Sequence, residues 1–278
     1  TELEAVYEEY NIGLSSDWRK VYAALFAKLF PTHPYGTQTT IGLGEHLKNP
    51  SITNIKNYFN KYYVPNNIAI CLSGDLDPDK TVASIEKYFG NWKPSAHIDV
   101  PQFPAQPALT APVDTTVVGK EAPMLFMGWR ADASKSLQLD TLEVIAQLLS
   151  NGQAGLFDLD LSQKLKVQEV SAGIADMDEY SVFYVYGQPK SGQTLQEVRS
   201  LALSEIEKLK KGNFSDDLLP SIVNNYKRYY YTQLDNNQFR AKQYVDAFIN
   251  HKDWKQEVDK LNRISKLTKA EIVKFANQ

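Results

Sequence analysis

The chain has 278 residues, of which 43% are hydrophobic and 12% aromatic, so it can build real cores and fits two domains of ordinary size. Its formal net charge of −3 gives no basic surface of the kind that nucleic-acid binding needs, so we expect no nucleic-acid partner. The single cysteine, Cys71, excludes an intrachain disulfide. No apolar run approaches the ~18 residues that a membrane-spanning helix needs, so we expect no membrane-spanning segment.

Helical patterns dominate the first part of the chain. Thr1 and Glu4 have the spacing of a capping box that opens a first helix, and Ser51 or Thr53 caps a later one. The predicted helices cover residues 2–10, 18–30, 51–63 and 78–89. Residues 68–73 form the only clear strand pattern here. Because one strand cannot make a sheet, we expect this first domain to be truncated and to pack on polypeptide outside the chain.

A proline-rich stretch then predicts an interdomain linker, with domains at 1–93 and 113–278 on either side of a linker at 94–112. The patterns beyond it predict strands at 115–118, 124–129, 169–174 and 181–187, and helices at 137–149, 156–165, 195–209 and 215–234. Thr268 and Glu271 predict a capping box for the final helix. We expect an α+β fold, with mostly antiparallel sheets covered by helices on one face and the last strand of the second domain missing.

A succession of short motifs resembles the M16 (pitrilysin or insulinase-like) zinc metallopeptidases. The run from Glu2 to Tyr10 is similar to an acidic helix of that family, and the segments that follow match in order: His33-Pro34-Tyr35-Gly36, then residues 62–67, 73–77 and 88–90. The resemblance covers nearly the whole chain and is strongest up to Trp92. It implies a LuxS/MPP-like metallohydrolase fold, with residues 1–93 as the C-terminal part of a catalytic-type domain.

The resemblance also implies a zinc ligand in this chain. Family members bind zinc with two histidines of an H-x-x-E-H motif, whose glutamate is the general base, and with a later glutamate that follows a second acid by seven residues. Glu2 and Glu9 have that spacing, so Glu9 would be the metal ligand and Glu2 an outer acid that orients the site. Read from spacing alone, both are more typical of a solvated helix start, where acids are favoured, and it is the motifs that follow in the sequence that favour the metal role.

The chain lacks the H-x-x-E-H motif, because none of His33, His46, His97 and His251 precedes x-x-Glu-His. A turn-forming role is expected for His33, an exposed position for His46, and no metal for any of the four. We therefore expect no catalytic residue and no retained zinc in this chain, although the parent protein would use zinc to hydrolyse peptide substrates.

Three functional classes remain open at this point. The chain is expected to be an inactive fragment of a zinc endopeptidase whose partner is the missing remainder of the enzyme or a homologous half. Alternatively, it is a non-catalytic M16-like half that serves as a scaffold or as a wall of the substrate chamber, or it is a free-standing binding module. The cluster of Tyr226, Tyr229, Tyr230 and Tyr231 is interpreted as core with a basic edge, with RNA stacking and a chamber lining as alternatives.

Overall fold

The computed structural model describes residues 2–278, which divide into two compact units. The first unit comprises the residues up to Thr115 together with Asn236–Val245, and the second comprises Thr116–Asp235 and Asp246–Gln278. The described residues are mostly helical and contain one small antiparallel sheet, so the α+β class is confirmed. Within residues 2–278 there is no helix with the length and apolar character that crossing a bilayer demands.

Helices supply the regular structure of the first unit up to Thr115. They are α1 (Glu2–Ser15), α2 (Asp17–Leu29), α3 (Pro34–Thr37), α4 (Gly44–Lys48), α5 (Ile52–Tyr62) and α6 (Pro78–Phe89). Ser51 caps α5 as expected, because its hydroxyl accepts a hydrogen bond from the Asn54 amide at 3.2 Å. The capping box predicted at Thr1 lies outside the described residues.

The core of the first unit is small and centred on the C-terminal half of α2. Phe26 and Phe30 are buried, and their ring centroids lie 5.7 Å apart. The turn that follows folds back onto this helix end. A Cβ on Gly36 would lie 2.2 Å from the Phe30 carbonyl oxygen, so the turn requires glycine at this position.

Two predicted strands are absent from the described part of the chain. Residues 68–73 and 115–118 have neither helical nor strand structure. Both predictions were wrong for the same physical reason, since no other described segment hydrogen-bonds to these residues as a neighbouring strand. A strand pattern gives a segment the preference for a sheet, but a strand forms only when a partner is present.

The second unit contains the sheet and the larger helices. Its strands are β1 (Leu125–Ala131), β2 (Glu169–Ala175) and β3 (Ser181–Gln188). Its helices are α7 (Gln138–Leu149), α8 (Leu195–Lys210), α9 (Leu218–Leu234), α11 (Trp254–Lys266) and α12 (Lys269–Ala276), together with the last residues of α10 (Asn237–Ile249), which begins in the first unit. The helix predicted at 156–165 is largely a π-helical turn, Asp158–Ser162.

The sheet has the order β1-β3-β2, with both pairs antiparallel. In one cross-strand row Met127 faces Val185, which in turn faces Ala172. The residues of this row lie on the sheet face that joins the core. Leu148, Leu149, Val198 and Ile272 from the helices are fully buried in the same core. The expected arrangement of helices against one face of an antiparallel sheet is therefore present in the second unit.

The final helix forms as the sequence predicts. The Thr268 hydroxyl accepts a hydrogen bond from the Glu271 amide at 3.3 Å, and the Glu271 carboxylate accepts one from the Thr268 amide at 2.8 Å. This capping box fixes the start of α12, whose Ile272 is fully buried.

Candidate functional site

Helix α1 carries the two carboxylates that the sequence singles out. Glu2 and Glu9 are seven residues apart in this continuous helix, so they lie on one face, about 10 Å apart along its axis. Both are exposed, and neither forms a hydrogen bond or ion pair with another residue in the range 2–278. The helix is held by other residues, since the Lys48 ammonium of α4 lies 5.4 Å from the centroid of the Tyr7 ring. The two carboxylates are thus accessible to an ion or polypeptide from outside.

The described residues do not assemble a complete zinc site. Catalytic zinc needs three protein ligands and an open position for water. Nowhere in residues 2–278 do three His, Cys, Asp or Glu side chains come close enough together to hold a metal ion. The roles assigned to Glu9 and Glu2 therefore stay predictions.

His33 has the turn-forming role expected of it. Its side chain is almost fully buried and its Nδ1 accepts a hydrogen bond from the Tyr35 amide at 3.2 Å, which caps the start of α3. The Phe103 ring packs against it with a centroid distance of 4.8 Å. This histidine is part of the fold of the first unit.

The other three histidines are far less buried. His46 is exposed, as expected, although it lies in the short helix α4. The Nε2 atom of His97 lies 2.7 Å from the Asp99 carboxylate in an exposed pair. His251 occupies a turn with a left-handed backbone, φ 51°.

An ionic cluster in the second unit, in which Asp140 is buried and the other members are partly buried, was not found from the sequence. Asp140 and Glu143 on α7 face Lys260 and Arg263 on α11. The Arg263 Nε atom lies 2.7 Å from Asp140 Oδ2, and Lys260 Nζ lies 2.7 Å from Glu143 Oε1. In the sequence, two acids are spaced by three residues in α7 and two bases are spaced by three residues in α11, so each pair lies on one helix face. Only the tertiary structure brings the two helices together.

Tyr226 of α9 completes this cluster. Burial raises the pKa of its hydroxyl to about 12, against the effect of the nearby Lys260 charge. For Lys260, burial alone lowers the pKa, but the charges of Glu143 and Asp140 and the Tyr226 hydroxyl raise it overall. The cluster therefore keeps a charged lysine and a neutral tyrosine inside the unit, and joins three helices.

A small polar cleft opens beside the cluster, with Ser134, Lys135, Asp176, Lys252 and Glu257 among its lining residues. Lys252 and Asp176 form an ion pair across 3.0 Å. The charged residues that line the cleft are balanced in sign, so the lining has no net formal charge.

The interpretation of the tyrosine cluster as core was correct only in part. Tyr226 packs against the core of the second unit. Tyr229 and Tyr231 are exposed, at 60% and 61%, so the interpretation was wrong for them. Tyr231 follows Tyr226 by five residues, so it lies about 140° around the helix and its ring points away from the core. Tyr229 is close to the face of Tyr226 but lies beyond the edge of the core.

Comparison with known proteins places this architecture in a family. The family model described as "Peptidase M16 inactive domain" matches residues 51–226. Among curated proteins, the chain is similar to the zinc protease PqqE of Helicobacter pylori, with 24% identity over 267 residues. That alignment covers 93% of this chain and 59% of the relative, so the chain spans about three fifths of the relative's length.

Solved structures share the same fold. A protease from Helicobacter pylori superposes with a TM-score of 0.88 at 22% identity, covering 99% of this chain and 68% of that one. The peptidase M16 inactive domain from Pseudomonas fluorescens gives 0.80 at 14% identity, covering 99% and 66%. The first half of the periplasmic protease PqqL from Escherichia coli gives 0.76 at 12% identity, covering 100% and 62%.

The family model covers more than half of the chain, and the motifs at 62–67, 73–77 and 88–90 lie within its match. Glu2 and Glu9 lie outside the residues that it matches. The chain belongs to the M16 peptidase family, in the part described as the inactive domain.

Proposed function

We propose that the chain is one part of a zinc-dependent M16 metalloendopeptidase with a LuxS/MPP-like metallohydrolase fold, and that it is inactive by itself. One observation carries the proposal: α1 leaves Glu9 and Glu2 exposed on one face, while no three potential ligands lie together in residues 2–278. A carboxylate in that position suits a ligand set that is completed by another polypeptide. The zinc protease relative and the family assignment support the zinc chemistry.

In this proposal the chain contributes one metal ligand and no catalytic acid or base. Glu9 binds zinc, and Glu2, about two helical turns away, orients or tunes the site through its charge. Zinc, where bound, polarises the peptide carbonyl and activates water. The general base and the remaining ligands belong to the rest of the enzyme, which is a contiguous remainder or a homologous half.

The domain organisation that accompanies this function also remains a proposal. Residues 1–93 are the C-terminal part of a catalytic-type domain, 94–112 are a linker, and 113–278 are a second M16-like α+β domain. The substrate of the complete enzyme is a peptide.

Zinc titration of two proteins tests the proposal: this chain alone and the complete product of its gene. For the chain alone we expect no tight one-to-one binding at neutral pH, because one carboxylate cannot retain zinc. In the complete product, Glu9→Gln should abolish stoichiometric binding, and Glu2→Gln should weaken it by about 10–100-fold. Glu8→Gln is the matched control, because Glu8 is exposed on the same helix but about 100° around it from Glu9.

Tight one-to-one binding by the chain alone that is lost in the Glu9→Gln variant would sink the proposal of an incomplete site. A complete product that binds zinc equally well with and without Glu9 would remove this residue from the ligand set.

A non-catalytic scaffold is the second candidate function. It is favoured by the matching family model, which describes an inactive domain, and by the position of that match outside α1. In a scaffold, Glu9→Gln leaves both the zinc content and the peptidase rate of the assembled enzyme unchanged. The same titration, followed by a peptidase assay, therefore discriminates the two functions.

A further inference from the structure

The turn after α7 contains Asn151-Gly152, the only Asn-Gly pair in the sequence. In such a pair the backbone nitrogen of the glycine can attack the side-chain amide carbon of the asparagine, because glycine has no Cβ to obstruct the approach. Gly152 is exposed and has a left-handed backbone, φ 79°. A Cβ on Gly152 would meet nothing within 4 Å, so water reaches this part of the turn freely.

The side chain of Asn151 is held by hydrogen bonds that favour this attack. Its Oδ1 accepts hydrogen bonds from the amides of Gln153 at 3.0 Å and Ala154 at 2.9 Å. A bond to the amide two residues on folds an asparagine side chain back along its own backbone, which brings Asn151 Cγ towards the intervening Gly152 nitrogen. Two amides on one oxygen also act as an oxyanion hole, since negative charge develops on that oxygen during the attack.

The nucleophile and the leaving group are defined by the same turn. Among the described residues, none accepts a hydrogen bond from the Gly152 amide, so its proton is available to solvent. Asn151 Nδ2 donates to the carbonyl oxygen of Gln147 at 3.0 Å, which fixes the side-chain amide at the end of α7. The two reacting groups are thus adjacent, and one of them is pre-oriented.

We propose that Asn151 is a site of spontaneous deamidation, which this turn promotes. The Gly152 nitrogen forms a bond to Asn151 Cγ and loses its proton, while the Cγ–Nδ2 bond breaks and ammonia leaves. Water then adds to either carbonyl of the resulting cyclic imide and opens the ring. The product has aspartate or isoaspartate at position 151. The proposal goes beyond the zinc site, because it concerns only a turn of the second unit.

The modification would alter the contacts between α7 and the π-helical turn. Asp158 is buried, and its Oδ2 accepts hydrogen bonds from the amides of Asn151 and Gly155, both at 2.9 Å. A carboxylate at position 151 adds a second negative charge close to this group, and like charges repel. Isoaspartate also inserts a methylene group into the backbone between the two amides that Asp158 binds. Deamidation therefore weakens the hydrogen bonds that fix the start of the π-helical turn.

Peptide mapping by mass spectrometry tests the proposal on the complete product of the gene, incubated at neutral pH. The peptide that contains position 151 should gain the mass difference between an amide and a carboxylic acid, with isoaspartate among the products. This conversion should be at least about tenfold faster in the folded protein than in the same protein unfolded in guanidinium chloride, because unfolding removes both amide donors to Oδ1.

Asn250 is the internal control. Like Asn151, it follows a helix, and its Nδ2 donates to the carbonyl oxygen four residues earlier at 3.0 Å. Within residues 2–278, however, no amide donates to its Oδ1, and the next amide, that of His251, donates to the carbonyl of Phe248. Asn250 should therefore keep its amide over the same incubation. Gly152→Ala should abolish the mass gain at position 151, because the added Cβ obstructs the attacking nitrogen.

Three results would overturn the proposal. The first is an intact amide at position 151 after incubation, and the second is a conversion that is no faster in the folded protein than in the unfolded one. The third is aspartate without isoaspartate, since direct hydrolysis of the side-chain amide by water gives only aspartate and does not involve Gly152.

Discussion

At the scale of the residue, the side chains with the largest expected effect on stability are charged and polar groups that lie away from solvent. Asp140 is buried, and Lys260 and Glu143 beside it are partly buried, so an unpaired charge here would be costly. The short ion pairs and the Tyr226 hydroxyl balance that cost, so the cluster fixes how α7, α9 and α11 pack. Removing one member of the cluster leaves the charge of its partner uncompensated. The protein therefore loses more stability than it would if an exposed ion pair were broken.

Tyr226 makes the stability of the second unit sensitive to alkaline pH. Its pKa is raised by burial from the ordinary value of 10.0 to about 12, so its contribution is fully present below pH 10. Between about pH 10 and 12 the unfolded phenol ionises while the folded one stays neutral, and about 2–3 kcal/mol is lost. Tyr226→Phe should therefore flatten the alkaline fall in the free energy of unfolding, measured by urea titration at successive pH values.

The control for this prediction is Tyr231→Phe, because Tyr231 lies on the same helix and is exposed. It should leave the alkaline limb unchanged. Equal alkaline limbs for the wild type and the Tyr226→Phe variant would show that the buried phenol is not what couples stability to pH.

At the scale of the element, hydrogen bonds formed within a few residues are what the sequence predicts best. The capping box of Thr268 and Glu271 needs only residues three apart, and it forms as predicted. A second box of the same kind, Thr194 with Glu197, begins α8 and had the same signal in the sequence. The strand patterns at 68–73 and 115–118 failed because a strand depends on a distant partner.

The candidate site could likewise be predicted only where it depends on residues that are close together in the sequence. The helix that carries Glu2 and Glu9 could be predicted, because its periodicity and acidic start are local features. The cluster around Tyr226 could not, since its members lie on helices separated by more than thirty residues along the chain. The π-helical turn at Asp158 was also missed, because the side chain of Asp158 accepts hydrogen bonds from the amides of Asn151 and Gly155 outside any helical repeat.

The capping box at the start of α12 allows the contribution of a local hydrogen bond to the free energy of unfolding to be measured. Thr268→Ala removes the acceptor for the Glu271 amide at the start of a helix that buries Ile272. We expect a loss of about 1 kcal/mol in the free energy of unfolding, measured by urea denaturation. Thr232→Ala on the exposed side of α9 is the control and should change stability by less than about 0.5 kcal/mol. Similar losses in both variants would mean that the box contributes nothing specific.

At the scale of the whole molecule, the two units differ in how completely they bury apolar surface. The second unit has a continuous core of sheet and helix residues. In the described part of the first unit, the buried apolar side chains are Phe26, Leu29, Phe30 and Val64. Since hydrophobic burial is the dominant favourable term in folding, the first unit has much less free energy to offset its chain entropy.

We therefore expect the intact chain to unfold in two steps, with the first unit opening at lower denaturant. Hydrogen exchange read by mass spectrometry across a urea series follows both units in one sample. Peptides from α5 and α6 should reach full exchange before peptides from β3 and α8, because the former helices bury no residue. The transition of the first unit should also have the smaller dependence on urea, since less surface becomes exposed. Coincident transitions at all peptides would contradict this expectation and would mean that the first unit is stabilised cooperatively with the second.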